Sequence, residues 1–208
     1  MKITIITSLV LLLIFFILQS FTIMSINKTE IQKYSVIQKF KDFEVRFYPS
    51  STIATTRLYA KTYKELANPG FRKLAGYIFG GNNSQTSISM TSPVHMDITD
   101  SLSTMSFVMP SAYNLSNLPE PNDIDVVLET SKAEHVAVIQ FGGFANEKNM
   151  KHYSEKLFKH LADQGITSYG NYRYLGYNPP FQILGRRNEI IVSVNWEVDN
   201  ANKIQNLN

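Results

Sequence analysis

The chain of 208 residues contains no cysteine. Without thiols it forms no disulfide framework, no thiolate nucleophile, no zinc–thiolate site and no thioether-linked prosthetic group, so anything it binds is held by other means. Long runs of one charge are missing as well. Twenty Lys and Arg stand against 17 Asp and Glu, for a net charge of +3, and no basic run exceeds a pair such as Arg186-Arg187. That is no footprint of a phosphate-backbone binder, which argues against nucleic acid as a partner. The nucleophile elbow G-x-S-x-G, a phosphate loop ending in Lys-Ser/Thr, a dinucleotide-binding glycine fingerprint and the metal motif H-E-x-x-H are all absent.

One long hydrophobic run is present, at the N-terminus. After Lys2, residues 3–26 carry no charge and are dominated by Leu, Ile, Phe and Val, and about 20 such residues suffice to cross a bilayer as a helix. The run ends "LQSFTIMSIN", without an Ala-x-Ala cleavage pattern and with apolar residues continuing to Ile26. Those features favour an uncleaved anchor over a removed signal peptide. Residues 1–26 are therefore expected to be a membrane anchor or signal segment, 30–198 a single domain and 199–208 a tail. The protein is expected to be membrane-anchored or secreted, its domain on the extracytoplasmic side.

With 44% apolar and 12% aromatic residues, the remainder can bury one sizeable core. "FEVRFY" (Phe43 to Tyr48) and "STIATTRLY" (Ser51 to Tyr59) are rich in aromatic and β-branched residues and meet at Pro49-Ser50, which reads as a hairpin. A helix follows, with Asn68 as N-cap, Pro69 in the first position, an apolar stripe of Phe71, Leu74, Ala75 and Ile78, and a stop at Gly80-Gly81. "ISMTSPVHMDI" and "TMSFVMP" read as strands. The same order then recurs: "IDVVLET" and "HVAVIQFGGF" as a hairpin, Glu147 to Gln164 as a helix with Met150, Tyr153, Leu157 and Leu161 on one face, then "YRYLGYNPPF" and "EIIVSVNW" as strands. The expectation is an α+β fold made of two pseudo-repeated β-β-α-β-β units. Two antiparallel half-sheets with two flanking helices close most naturally into a distorted β-barrel, leaving a groove where helix and sheet splay apart.

The ordered series Phe43-Glu-Val-Arg-Phe-Tyr48, Leu74-Ala-Gly-Tyr-Ile-Phe-Gly80, Met90-Thr-Ser-Pro-Val94, Phe107-Val-Met-Pro110, Tyr177-Asn-Pro-Pro180 and Arg186-Arg-Asn-Glu189 resembles the SOUL haem-binding protein family. The resemblance covers about residues 30–194. It implies a distorted antiparallel barrel, related to the effector-binding domains of some transcription regulators, that binds tetrapyrroles in an apolar groove without catalysing a reaction. On the family pattern residues 71–79 form the groove helix and "GGNNSQTS" a mobile lip. The ligand-contacting candidates are Phe71, Leu74, Ala75, Ile78, Met90 and Phe181, with haem as the implied cofactor.

Some of the pattern is changed here. Certain vertebrate members carry a suggested iron-ligating histidine in an Arg-His-Tyr stretch, and the matching residues are Arg46-Phe47-Tyr48. Basic residues of some animal members correspond to Gly76 and Gln182, leaving Arg72 or Lys73 to meet the propionates. A helical stripe and strand-face methionines such as Met90 and Met96 also serve as plain core. His95, His135, His152 and His160 form no metal triad. Two other readings remain: a membrane-tethered module for a different hydrophobic ligand, and a small-molecule hydrolase using Glu189 with Tyr77 and Tyr177. Against the latter stands the stronger reading that Arg186, Arg187 and Glu189 form an ion-pair and hydrogen-bond network holding the last strand while the tyrosines cap the core edge.

Overall fold

The computed structural model describes residues 6–14, 16–17 and 29–196. Helical residues 6–14 and 16–17 form α1, whose large apolar side chains are between 45% and 64% exposed. Among the described residues no helix is long and apolar enough to cross a membrane. Residues 1–5, 15 and 18–26 of the expected N-terminal segment, residues 27–28, and 197–208 including the tail, lie outside the described residues.

The rest is a mixed α/β fold. Its elements are β1 (Glu30–Ile31), β2 (Ser35–Lys39), β3 (Glu44–Tyr48), β4 (Thr52–Leu58), α2 (Tyr63–Ile78), β5 (Thr91–Ser92), β6 (Val94–Asp97), β7 (Ser103–Val108), β8 (Val126–Thr130), β9 (Glu134–Phe141), α3 (Glu147–Asp163), β10 (Ser168–Gly176) and β11 (Asn188–Val194). Nine strands make one antiparallel sheet in the order β2-β3-β9-β11-β10-β6-β7-β4-β8, while β1 and β5 form a short parallel pair.

Neither expected hairpin forms. β3 pairs with β2 and β9, and β4 pairs with β7 and β8, so the strands on either side of Pro49-Ser50 are not partners. The strands flanking residues 131–133 likewise bond elsewhere, β8 to β4 and β9 to β3 and β11. Alternation identifies a strand and its buried face but not its partner. The exchange has a geometric consequence. β3 is second and β4 eighth in the sheet order, which in a flat sheet would separate them by about 29 Å at ~4.8 Å per strand. Residues 49–51 span at most about 14 Å from Tyr48 to Thr52. The link between β8 and β9 imposes the same limit across the same number of strands, so the sheet must curl.

Curling gives the sheet two unlike faces. Both helices pack on one, against Val45, Ala54, Met96, Met105, Phe107, Ala137, Ile139, Ile190 and Val192, to make the main core. Each large apolar side chain buried there contributes roughly 1.5–3 kcal/mol. α3 matches its expected span, with Asn146 as the cap accepting from Asn149 N and with Met150, Leu157 and Leu161 buried. α2 begins earlier than expected. Its cap is Thr62, whose hydroxyl accepts from Glu65 N at 3.2 Å, and Pro69 lies inside the helix. The N-terminal signals at Asn68-Pro69 lose because Leu66 already belongs to the core, and its burial extends the helix backwards.

The opposite face carries buried charge. Arg46 on β3 donates to both oxygens of Glu189 on β11, at 2.9 and 3.1 Å, across the intervening β9. Arg187 donates to Glu189 at 2.7 Å and the Tyr177 hydroxyl does so at 2.8 Å; Arg46 also bonds Glu44 and lies 4.1 Å over the Tyr34 ring. Glu189 is fully buried. Burial and the Glu189 charge together raise the Tyr177 phenol far above its ordinary value. Glu189→Gln removes the carboxylate paired with Arg187 and one of the two paired with Arg46, and should cost about 3–5 kcal/mol in urea unfolding. Arg57→Ala, which removes only the surface pair to Glu129, should cost less than about 1 kcal/mol. Equal effects would mean that the network does not hold the sheet.

Candidate functional site

α2 buries one face and leaves another open. Leu66, Leu74 and Ile78 are sealed in the main core. On the adjacent face Pro69, Arg72, Lys73, Gly76 and Tyr77 form one wall of a groove, and Gly81, Asn122 and Asp123 form the other. Its volume is about 460 Å3, within the ~300–1,000 Å3 typical of small-molecule sites. Gly76 sets its depth, since a Cβ placed there would meet nothing within 4 Å.

The far wall is pinned to the helix end. Gly81 N donates to Gly76 O at 2.8 Å, and a Cβ on Gly81 would lie 2.5 Å from that oxygen. Buried Asn82 braces the segment expected to be a mobile lip. Its amide donates to Tyr77 O (3.1 Å) and Thr86 O (2.8 Å), and its Oδ1 accepts from Thr86 N (3.0 Å). Asn122 N donates to Gly81 O, joining the two loops.

The two cations on this helix differ in availability. Lys73 Nζ donates to Asp125 at 2.8 Å and Asp123 at 3.0 Å, bonds that raise the pKa of the amine. Arg72 is exposed and makes no ion pair among the described residues, so it is free to meet an anionic ligand group. Tyr77 is buried, donates to Pro119 O at 3.0 Å, and has its phenol pushed up to about 12 by burial. No histidine lines the groove. His95 bonds Gln32 on the other side of the sheet, His135 rests on Phe47, and His152 and His160 lie on α3. No cluster able to hold a metal ion occurs among the described residues.

The structure gathers four of the six candidate contacts on the core side of α2. Leu74 and Ile78 are fully buried, Ala75 nearly so, and Phe71 remains 39% exposed with its ring 5.4 Å from that of Phe107. Met90 is half-buried against the same core. Phe181 stands apart on the loop between β10 and β11, 65% exposed, and lines neither this groove nor the cavity beyond the sheet. Of the groove residues, Arg72 or Lys73 was expected to meet the propionates, Gly76 to stand where relatives carry a basic residue and Tyr77 to serve a hydrolase, while Pro69 and Gly81 were read as helix boundaries. Gly76 offered a signal, because a glycine inside a helical pattern marks a packing or functional need; Asn122 and Asp123 offered none. The hydrolase arrangement is not assembled. Tyr177 reaches Glu189, but Tyr77 bonds Pro119 O and Arg186 bonds Pro179 O and Gln182 O.

The family model for SOUL heme-binding proteins matches residues 29–193. Heme-binding protein 1 of Xenopus laevis is 30% identical over 155 residues, covering 71% of this chain and 81% of the relative. Among solved structures, the C-terminal domain of EcmrR superposes with a TM-score of 0.55 at 10% identity, over 79% of this chain and 99% of that one. A structure described as a hydrolase from Listeria innocua gives 0.55 at 8% identity, over 76% and 94%. At those identities the likeness is one of fold alone.

Gly76 and Gly81 should respond oppositely to the same change. Gly76→Ala adds a methyl group in open space inside a helix and should stabilise the fold by about 0.5–1 kcal/mol. Gly81→Ala must push the loop off the helix end and should lower the thermal midpoint. The reverse order would contradict the groove geometry.

Proposed function

Because the chain belongs to the SOUL heme-binding protein family, we propose that it binds haem in the groove beside α2 and carries or buffers it without catalysing a reaction. The observation that carries this reading is the conjunction of Gly76, where a flat ring can approach backbone, with Arg72, whose guanidinium is free to pair with a propionate. Pro69 supplies apolar surface, the buried Tyr77 backs the wall, and Phe71 and Ala75 border it from the core side. Leu74 and Ile78 act from beneath by fixing the helix. Met90 and Phe181 would join only through movement of the segments that carry them. Haem brings its own iron chemistry, and the chain's part is to bind, orient and shield the ring.

A non-enzymatic role is supported by Glu189, the buried carboxylate considered as a base, whose oxygens are taken by Arg46, Arg187 and Tyr177. A different flat hydrophobe, such as a bilin, is favoured by one observation: no histidine lines the groove to ligate iron. Nucleic acid is not a partner on this reading, since the charge is low and mixed. The curl reads further as a distorted barrel made by duplication. The order from β3 to β8 supports this, for β3-β9-β11-β10 mirrors β8-β4-β7-β6 when each strand is exchanged for its counterpart in the other half. The exposed apolar α1 supports a membrane tether; the extracytoplasmic side of the domain is carried over from the sequence reading.

Absorbance titration of the full-length protein with haem, protoporphyrin and biliverdin tests the ligand. Gly76→Phe and Arg72→Glu should each weaken haem at least tenfold, about 1.4 kcal/mol, with the thermal midpoint moved by only a few degrees. His95→Ala should leave the spectrum unchanged. Unaltered affinity in Gly76→Phe would place the ligand elsewhere. For the tether, the protein should stay with membranes through high-salt and carbonate washing; release by either would refute it.

A further inference from the structure

The sheet face turned away from both helices encloses a cavity of about 220 Å3 inside the curl. It lies where β6 and β10 meet, with His95 and Asp97 from one and Arg173 from the other. Ile53, Val108 and Ile191 make part of its wall apolar. The polar side chains around it are largely matched within the protein. His95 Nε2 and Gln32 Oε1 are 2.7 Å apart, and the hydroxyls of Thr55 and Ser106 are 2.9 Å apart. Arg173 makes two 2.8 Å bonds to Glu134, which also accepts from Ser193 Oγ at 2.8 Å. Glu129 at the rim is paired with Arg57.

Asp97 is the exception. Its Oδ1 is buried and has no hydrogen-bond partner among the described residues, although buried acceptors are almost always satisfied. Two cations line the cavity with it, Arg173 and the exposed Lys132, and neither bonds Asp97 among the described residues. Arg173 is committed to Glu134, and burial pushes the His95 imidazole down to about 3, with Arg173 adding to the effect, so the ring stays neutral. Burial draws the Asp97 carboxyl upward while Arg173 opposes it.

We propose that this cavity is a second binding site, separate from the α2 groove, for a small primary ammonium ion on a short apolar chain, with its charge against the Asp97 carboxylate and the chain against Ile53, Val108 and Ile191. Three carboxylates on the wall, Asp97, Glu129 and Glu134, outnumber the two cations Arg173 and Lys132, a balance that disfavours an anion. A tetrapyrrole is excluded by size, since the volume lies below the ~300–1,000 Å3 usual for sites holding drug-sized ligands. The assignment does not rest on the haem reading.

The test is titration of the full-length protein with n-butylammonium chloride, with 1-butanol and sodium butyrate at matched ionic strength, followed by NMR at the His95 ring and the Asp97 amide. Saturable shifts are expected with butylammonium, at least tenfold weaker binding with butanol and none with butyrate. Asp97→Asn, which keeps the shape and removes the charge, should weaken butylammonium at least tenfold while haem affinity is retained. Absence of saturable shifts in the unaltered protein, equal binding of butyrate, or undiminished affinity in Asp97→Asn would overturn the proposal. The first two outcomes need no variant to fold.

Discussion

Short links between distant strands govern this architecture. Three residues join β3 to β4 and three join β8 to β9, yet each pair stands six places apart in the sheet order. A flat sheet cannot satisfy that distance, so curvature follows from connectivity before any side chain is considered. Curvature then divides the labour of the faces. One receives both helices and becomes a dry core; the other lines the inside of the curl and holds polar groups that flat antiparallel sheets would give to solvent. Buried charge on that face is tolerable because it is paired. Arg46 reaches across β9 to Glu189, and Arg173 makes a two-bond contact with Glu134.

The same division explains how a helix can be both structural and receptive. α2 spends Leu66, Leu74 and Ile78 on the core, which fixes its position without using its outer face. There, Gly76 keeps the helix low, Gly81 lets the following loop close against the helix end, and Arg72 makes no ion pair among the described residues. Lys73, one residue on, is occupied in tying the helix to Asp123 and Asp125, the loop that forms the far wall. A groove between two anchored walls needs little reorganisation to accept a flat ligand, which lowers the ordering cost of binding.

Much of the fold was legible in the sequence where one signal dominated. α3 was readable from the spacing of Met150, Tyr153, Leu157 and Leu161. The start of α2 was misplaced because Asn68-Pro69 imitates a helix beginning, while the true cap, Thr62 with Glu65 three residues later, precedes a less obvious apolar pattern. Strand positions were readable but strand partners were not, since a three-residue link looks the same whether it turns a hairpin or crosses between half-sheets. For the site, periodicity picked out the buried stripe of α2, which is what periodicity reports. An open groove is made by the residues that lack such a signal. Asp97, Glu134 and Arg173 come from three separate strands and converge only in the curl, so no linear pattern could have joined them.

The central claim is that a tetrapyrrole lies against the outer face of α2. Paramagnetic broadening by ferric haem in the isotope-labelled protein locates the iron without altering any residue. The account predicts loss of amide signals at Arg72, Lys73, Gly76, Tyr77, Gly81, Asn122 and Asp123, with His95, Asp97 and Arg173 left sharp. Broadening centred on the cavity at Asp97 or on the loop of Phe181, with α2 unaffected, would contradict it.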